Sequence, residues 1–386
     1  MMPTPTHPVI EFLQKLVQAE SLTGNEAAAA RLVEQHWRAL GFEDVHTDRL
    51  GNVIARRRGA RPGLRLLLDA HLDVVPATSP QEWRFPPFSG ELAEGRVWGR
   101  GSADTKASLA AMTGALAALP PDDLYGEVYL SASVGEEVLE GAAFSAVLDE
   151  VQPDVVVIGE PSDCRLGIAQ RGRARLVFTV QGKAAHSSAP EAGQNAIENA
   201  AALIRRIAGL PLPAHSLLGQ GLMTAIQMQS QPYPSLSTTP YRCEVVYDRR
   251  LMPGESMAGI IEEYNRFLAD VKNWQVIIPE EGFTTFTGVE LRRPDFHPGW
   301  ALDPRSEWVE RAVAALHSAG LPGETFAVPY CTNGSTSGGE RGIPTLIYGP
   351  GSIHQAHRVD ESIEVEEVLR AERGYRALMS ALGRVD

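Results

Sequence analysis

The chain has 386 residues and a formal net charge of −13, long enough for one large or two ordinary domains with a sizeable core. With 44% hydrophobic and 22% charged residues, it has the balance of a water-soluble globular protein. So acidic a chain excludes nucleic acid and anionic membrane as partners, because both need a basic face; one local arginine can still hold a carboxylate-bearing substrate.

The first predicted elements are helices. Val9, Phe12, Leu13 and Leu16 recur at helical spacing, as do Leu32, Val33, Trp37 and Leu40, and Gly41 closes the second helix. Strand-like runs follow at 52–56 and 64–68. An Ala/Leu-rich stretch after Asp104, running to Leu119, reads as a buried helix, and strands are expected at 127–134 and 154–158. Apolar runs without strict alternation indicate sheet covered on both faces, and strands alternating with helices indicate an α/β domain. From about Gly172 the texture changes. Residues 173–180 alternate, as in a half-solvated antiparallel strand. A helix at 195–207, strands at 222–229 and 242–247, a helix at 257–268 and a strand at 274–278 form a small α/β sandwich of domain size. A helix at 306–319, a strand at 344–348 and a helix at 365–382 return to the first pattern. The expected layout is a larger α/β domain, 1–172 and 288–386, interrupted by a smaller one at 173–287.

Cys164, Cys243 and Cys331 are far apart with no Cys-x-x-Cys pair, which suits a reducing compartment and leaves no thiolate zinc cluster. Residues 1–16 have no basic segment leading into an apolar run, so no signal peptide is expected, and no apolar run reaches membrane-spanning length. The expected location is the cytoplasm.

Several potential ligands sit where predicted strands end. His71 and Asp73 follow Leu66-Leu67-Leu68. Asp104 precedes a helix, Glu136 and Glu137 follow the 127–134 strand, Glu160 follows Val155-Val-Val-Ile-Gly, and His357 follows Leu346-Ile-Tyr-Gly-Pro-Gly. Open α/β sheets bind ligands beyond the carboxyl ends of their strands, so these groups can converge on one crevice. A metal pair about 3.5–4 Å apart needs a bridging carboxylate with further His and carboxylate ligands. Nitrogen and oxygen donors without sulfur suit catalytic zinc, with cobalt or manganese as alternatives. A lone acidic residue at a strand end is ordinarily a solvated loop residue or a helix cap; the joint occurrence carries the signal, and it leaves the roles open.

Seven stretches, in order along the chain, resemble the two-zinc family of aminoacylases, glutamate carboxypeptidases, acetylornithine deacetylases and succinyl-diaminopimelate desuccinylases. They are Asp69-Ala-His-Leu-Asp-Val-Val-Pro, Gly99-Arg-Gly-Ser-Ala-Asp-Thr-Lys, Val134-Gly-Glu-Glu, Gly159-Glu-Pro, Ala185-His-Ser-Ser-Ala-Pro, Asp248-Arg-Arg and Gln355-Ala-His-Arg-Val-Asp-Glu. Gln170-Arg-Gly-Arg and the Cys331-Thr-Asn-Gly segment resemble a poorly characterised subgroup of selenium-metabolism-linked hydrolases. The resemblance implies a zinc-peptidase-like catalytic domain with a central, mostly parallel sheet, interrupted by a ferredoxin-like dimerisation domain.

It also implies roles. Asp104 bridges two metals, His71 and Glu160 complete one site, and Glu137 and His357 the other. Glu136 is the general base, taking a proton from water between the metals, and Asp73 orients the His71 ring. His354 lies three residues before His357, and the family's Ala-His pattern favours His357. His186 matches a histidine that reaches a neighbouring active site across a homodimer and stabilises the oxyanion. Arg250 matches the carboxylate-binding arginine; Arg249 points to the opposite strand face. One position departs from the pattern: Ser237 stands where the family often has asparagine, which puts that substrate contact in doubt. The glycine-rich segment from Asn333 and Gly334 either brings backbone N–H groups to a substrate or is a plain loop. His7, His46, His215, His297 and His317 match no motif and read as structural or surface residues.

The implied activity is hydrolysis of an amide or peptide bond in a small, carboxylate-bearing N-acyl amino acid or dipeptide-like molecule. A carboxypeptidase or dipeptidase would use the same metals as a deacylase. A catalytically silent metal-binding dimer is the alternative outside enzymes, and retention of the seven core positions argues against it. No His-Glu-x-x-His motif, phosphate-binding loop or dinucleotide fingerprint is present.

Overall fold

The computed structural model describes residues 7–385, so the signal-peptide expectation, as far as it concerns residues 1–6, lies outside the described residues. Two compact units separate. The larger takes in the chain up to Gln170, Gly282–Arg292 and everything from Ala301; the smaller comprises Arg171–Glu281 and Arg293–Trp300. Residues 282–287, placed by sequence with the smaller unit, pack in the larger one, and residues 171–172 and 293–300, placed by sequence with the larger, pack in the smaller.

In the larger unit, helix Pro8–Gln18 starts on a proline and buries Val9, Phe12, Leu13 and Leu16, the residues that carried its periodicity. Helix Ala27–Ala39 stops at Gly41, whose φ of +76° suits a residue without Cβ after a helix end. The sheet runs Glu43–Thr47, Val53–Arg58, Tyr125–Ser133, Arg61–His71, Val155–Ile158, Thr345–Ile347 and Leu166–Gln170, with Thr325–Val328 also joined to the last. The inner neighbours Tyr125–Ser133, Arg61–His71, Val155–Ile158 and Thr345–Ile347 are all parallel. Leu66 to His71 and all of Val155–Ile158 are buried, as expected of sheet covered on both faces. Helix Ala107–Ala118 is apolar around most of its circumference because it packs against both Pro8–Gln18 and Val365–Leu382.

The smaller unit has strand order Leu222–Gln231, Arg242–Leu251, Gly172–Gln181, Trp274–Ile277, all antiparallel. With helices Ala196–Ile207 and Met257–Phe267 between strands, this is the split β-α-β ferredoxin-like topology. Leu176, Phe178 and Val180 alternate inward against Leu203, Ile207 and Tyr264, which explains the alternation at 173–180. Strand Leu222–Gln231 lies at the sheet edge and exposes Leu222, Ile226 and Met228.

Strands Glu43–Thr47 and Leu166–Gln170 and helix Phe144–Val151 lay outside the sequence expectation. The first is largely solvated, the second is a five-residue buried run and the third is two turns long, so none shows a sustained period. Among the described residues no helix is long and apolar enough to cross a membrane.

Candidate metal centre

Four neighbouring parallel strands discharge at one edge of the sheet, and that geometry collects the acidic and histidine side chains. His71 is the last residue of its strand and pairs in register with Ser133, two residues before the Gly135 turn that carries Glu136 and Glu137. Glu160 follows Val155–Ile158 by two residues, and the Gly159 N–H donates to the Asp69 carbonyl at 2.7 Å, locking that turn to the His71 strand. The chain leaving Thr345–Ile347 passes Gly349 and Gly351 before reaching His357. Asp104 sits not on the helix but in a non-helical turn before it (φ −124°, ψ 93°).

The two oxygens of Asp104 face different histidines. Oδ1 lies 3.2 Å from His71 Nε2, and Oδ2 lies 3.3 Å from His357 Nε2. His71 Nε2 is also 3.7 Å from Glu160 Oε1 and 4.0 Å from Glu136 Oε2, while His357 Nε2 is 3.0 Å from Glu137 Oε2. Ligand atoms of His71, Asp104 and Glu137 lie within 4.8 Å of one another. His357, with 51% of its side chain exposed, forms the open wall; the rest are buried or nearly so. His354 is exposed on a short 3-10 turn.

The charge balance asks for cations. Asp73, Asp104, Glu136, Glu137 and Glu160 are packed around two imidazoles, and among the described residues no Lys or Arg forms an ion pair with any of the five. Burial pushes the Glu136 and Glu160 carboxyls well above their ordinary range, and neighbouring carboxylates add to the effect. Burial raises Glu137 as well. Burial also works against ionised Asp104, but hydrogen bonds from His357 and His71 win and hold it far below its usual value. The same bonds, from Asp104 and Glu137, push His357 up to about 10. Protons on the histidines thus stand where metal cations would sit, and an oxygen and nitrogen donor set of this kind suits zinc, cobalt or manganese. The residues present therefore fit a pair of divalent ions.

Asp73 acts differently from the expectation. His71 Nδ1 lies 2.9 Å from the Asp73 backbone carbonyl and 3.7 Å from its carboxylate. A carbonyl only accepts, so Nδ1 carries the proton and Nε2 is left to bind a cation. The carboxylate instead accepts from the backbone N–H groups of Glu136 and Glu137, at 3.1 Å each, and from Thr23 Oγ1 at 2.7 Å. It shapes the turn that presents both glutamates. Gly135 completes that turn at φ +73°, where a Cβ would run into the Phe283 ring.

Asn333 and Gly334 are engaged within the protein. Asn333 is buried; its Nδ2 donates to Asp69 Oδ2 and Ser133 Oγ, both at 2.9 Å, and its Oδ1 accepts from Gly141 N at 2.7 Å. The Gly334 N–H donates to Thr332 Oγ1 at 2.9 Å. The segment ties the strands that end at His71 and Ser133 to the turn at Gly141. Asp69, which also accepts from Ser131 Oγ, was missed in sequence; its signal is a charge inside the apolar run from Leu66 to Ala70, a position tolerated only with partners. Tyr330 was missed too: its hydroxyl donates to the Pro161 carbonyl at 2.6 Å, beside Glu160.

Glu26 is a third omission, fully buried at the start of helix Ala27–Ala39. Burial, then the Asp73 charge, raise its carboxyl to about 7, although the amides of Glu26, Gly24 and Gly135 oppose the shift. A raised folded value means the native state binds more protons than the unfolded state between about 4.5 and 7, so the Glu26 contribution to stability is full below pH 4.5 and falls as pH rises. The loss is worth roughly 3 kcal/mol. Glu26→Gln is expected to flatten the pH dependence between 5 and 8 in urea unfolding of chelator-treated protein and to raise stability at pH 8.

In the smaller unit, His186 is exposed, and its Nδ1 accepts from the Ser188 N–H at 3.2 Å, which leaves the ring proton on Nε2. Ser237 lies in an exposed loop at φ +51°. Arg250 is about one-third exposed and pairs with Asp248 at 2.9 Å, whereas Arg249 is buried between Glu255 and Glu263 and is structural. The two guanidinium groups part because successive strand residues face opposite sides. His297 is buried against Asp295 and is also structural.

The chain is similar to several known proteins over nearly its whole length. The protein YgeY of Escherichia coli (strain K12), uncharacterised, is 28% identical over 379 residues, covering 95% of this chain and 92% of its own. The acetylornithine deacetylase of Klebsiella pneumoniae (strain 342) is 29% identical over 381 residues, covering 92% and 93%. The solved structure of aminopeptidase PepT from Bacillus cereus ATCC 10987 superposes with a TM-score of 0.75 at 20% identity, over 97% of each chain. The Bacillus subtilis YXEP protein, described as a dinuclear metal binding peptidase, superposes at 0.70 and 16% identity, over 96% of each. Both structural likenesses carry the fold: a mixed, mostly parallel sheet with a second α/β unit. The model of peptidase family M20/M25/M40 matches residues 67–381, a span that holds every one of the strand-end ligand candidates, and the chain is a hydrolase belonging to that family.

Proposed function

We propose that this protein hydrolyses an amide bond in a small N-acyl amino acid bearing a carboxylate, using two divalent metal ions. The observation that carries the reading is Asp104, with one oxygen turned to His71 and the other to His357. His71, Glu160 and one Asp104 oxygen would hold one ion; Glu137, His357 and the other oxygen would hold the second. Zinc suits the donors, with cobalt or manganese as alternatives. When bound, such a pair lowers the pKa of a water and polarises the substrate carbonyl.

The chain's own residues supply the rest. Glu136, buried beside His71 and held by the Asp73-braced turn, takes a proton from the attacking water and delivers it to the leaving nitrogen. His186, whose Nδ1 accepts from Ser188 so that Nε2 carries the ring proton, would donate to the oxyanion in the active site of a second copy of the chain. Arg250 grips the substrate carboxylate with its fork of N–H groups, with the exposed Ser237 loop as a further contact. The smaller unit, Arg171–Glu281 with Arg293–Trp300, serves as a lid and homodimerisation domain inserted in the larger, catalytic unit. Its exposed edge strand Leu222–Gln231 supports pairing with a second copy. Three buried cysteines, all reduced, support a cytoplasmic location.

The deacetylase relative favours deacylation; a dipeptidase or carboxypeptidase uses the same centre, and the peptidase likenesses keep that reading open. The purified protein, loaded with zinc or cobalt, is to be screened against N-acetyl, N-succinyl and N-formyl amino acids and dipeptides. Chelator-sensitive turnover of one acyl class is expected. A protein that takes up no metal and hydrolyses none of them would be a silent homologue.

A further inference from the structure

Glu361 lies four residues beyond His357 and is fully buried. One of its oxygens holds the Asp104 turn and the other holds Arg100. Oε1 accepts from the backbone N–H groups of Ala103 at 2.9 Å and Asp104 at 3.2 Å. Oε2 accepts from Arg100 Nη1 at 2.6 Å. The Glu361 backbone carbonyl accepts from Gly99 N at 2.9 Å. Arg100 is itself 1% exposed, with its guanidinium 5.3 Å from the centre of the Trp83 ring. One residue near His357 thus makes four bonds to residues 99–104, more than 250 positions earlier in the chain.

We propose that Glu361 is a positioning residue that holds the Asp104 carboxylate between the two metal sites and ties its turn to the segment bearing His357. The proposal rests on the reading of Asp104 and His357 as ligands. A buried carboxylate beside an already acidic cluster is costly unless its lone pairs are filled. Fold stability alone would be served by an apolar residue at less electrostatic cost. A carboxylate is the one side chain that accepts from two amides with one oxygen and an arginine with the other. Fixing the Asp104 N–H leaves its side chain little freedom about the backbone, so both oxygens stay aimed at separate partners.

Two double variants of the full chain test this. E361Q/R100M keeps an oxygen for the two amides and removes the arginine that would be left unpaired. E361L/R100M removes both. Zinc affinity is read by chelator competition, geometry by the visible spectrum of the cobalt-loaded protein, and integrity by the Tm of the metal-free form. E361Q/R100M is expected to bind two metals within about 3-fold of the parent, and E361L/R100M about 10–100-fold more weakly with a shifted cobalt spectrum, at similar metal-free Tm. Parent-like affinity and spectrum in E361L/R100M overturn the proposal. So does a loss of 10-fold or more in E361Q/R100M, which decides the matter alone if the leucine variant does not fold. If the parent itself binds no metal, the ligand reading fails first and the positioning role falls with it.

Discussion

Glu136→Ala is expected to lower kcat by about 10²–10⁴-fold while metal content stays at the level of the parent protein. Glu136 is 7% exposed, its carboxylate is 4.0 Å from His71 Nε2, and its backbone N–H is pinned by Asp73. It is adjacent to the cluster without sharing the close contacts of Asp104, Glu137 and His357. Removing it should therefore leave the cation sites and take away the proton acceptor. The pH profile gives an independent check. Burial and nearby carboxylates favour its neutral form, and bound cations would oppose them. The base works only as the carboxylate, so activity of the parent should be lost as pH falls through its pKa. That acidic limb should be missing from the residual activity of the variant. Normal turnover in a metal-replete variant would reassign the base.

Asp104→Asn is expected to abolish binding of at least one metal equivalent and reduce turnover by more than about 10³-fold, to the chelated background. The amide keeps the shape but loses the charge. Its nitrogen cannot coordinate a cation, so one of the two histidines would face a donor instead of an acceptor. Elemental analysis and titration with cobalt should show this directly. A variant with two tightly bound metals would remove the bridging role and with it the reading of two coupled sites.

Sequence and structure divide the remaining credit unevenly. The helices at the two ends, the Ala/Leu helix and the central strands were legible because each buries a sustained pattern: period 3.6 in Pro8–Gln18, a continuous apolar run in Val155–Ile158. His71, Glu137 and Glu160 stand out because each follows such a strand; Asp104, ahead of a helix, and the role of every ligand candidate rest on the family resemblance. The bonding of Asn333 and Gly334 was not legible, because a polar, glycine-rich segment reads alike whether its amides face a ligand or its own hydroxyls; in the structure Thr332 and the Asp69 network engage them. The resemblance pairs Asp73 with the His71 ring, but which of its oxygens meets the ring depends on where Glu136 and Glu137 arrive.

By itself the sequence determined the α/β class, the run of strands and helices, and which side chains lie at strand ends, because those follow from local periodicity and from hydrophobic burial along a single segment. Only the tertiary structure decided that Asp104 turns one oxygen to each histidine, that Asp73 braces the glutamate turn, and that Glu361 reaches back to hold the Asp104 loop. Those contacts join residues tens to hundreds of positions apart. They are set by which strands lie side by side and in what direction, and that is a property of the packed sheet rather than of any stretch of chain.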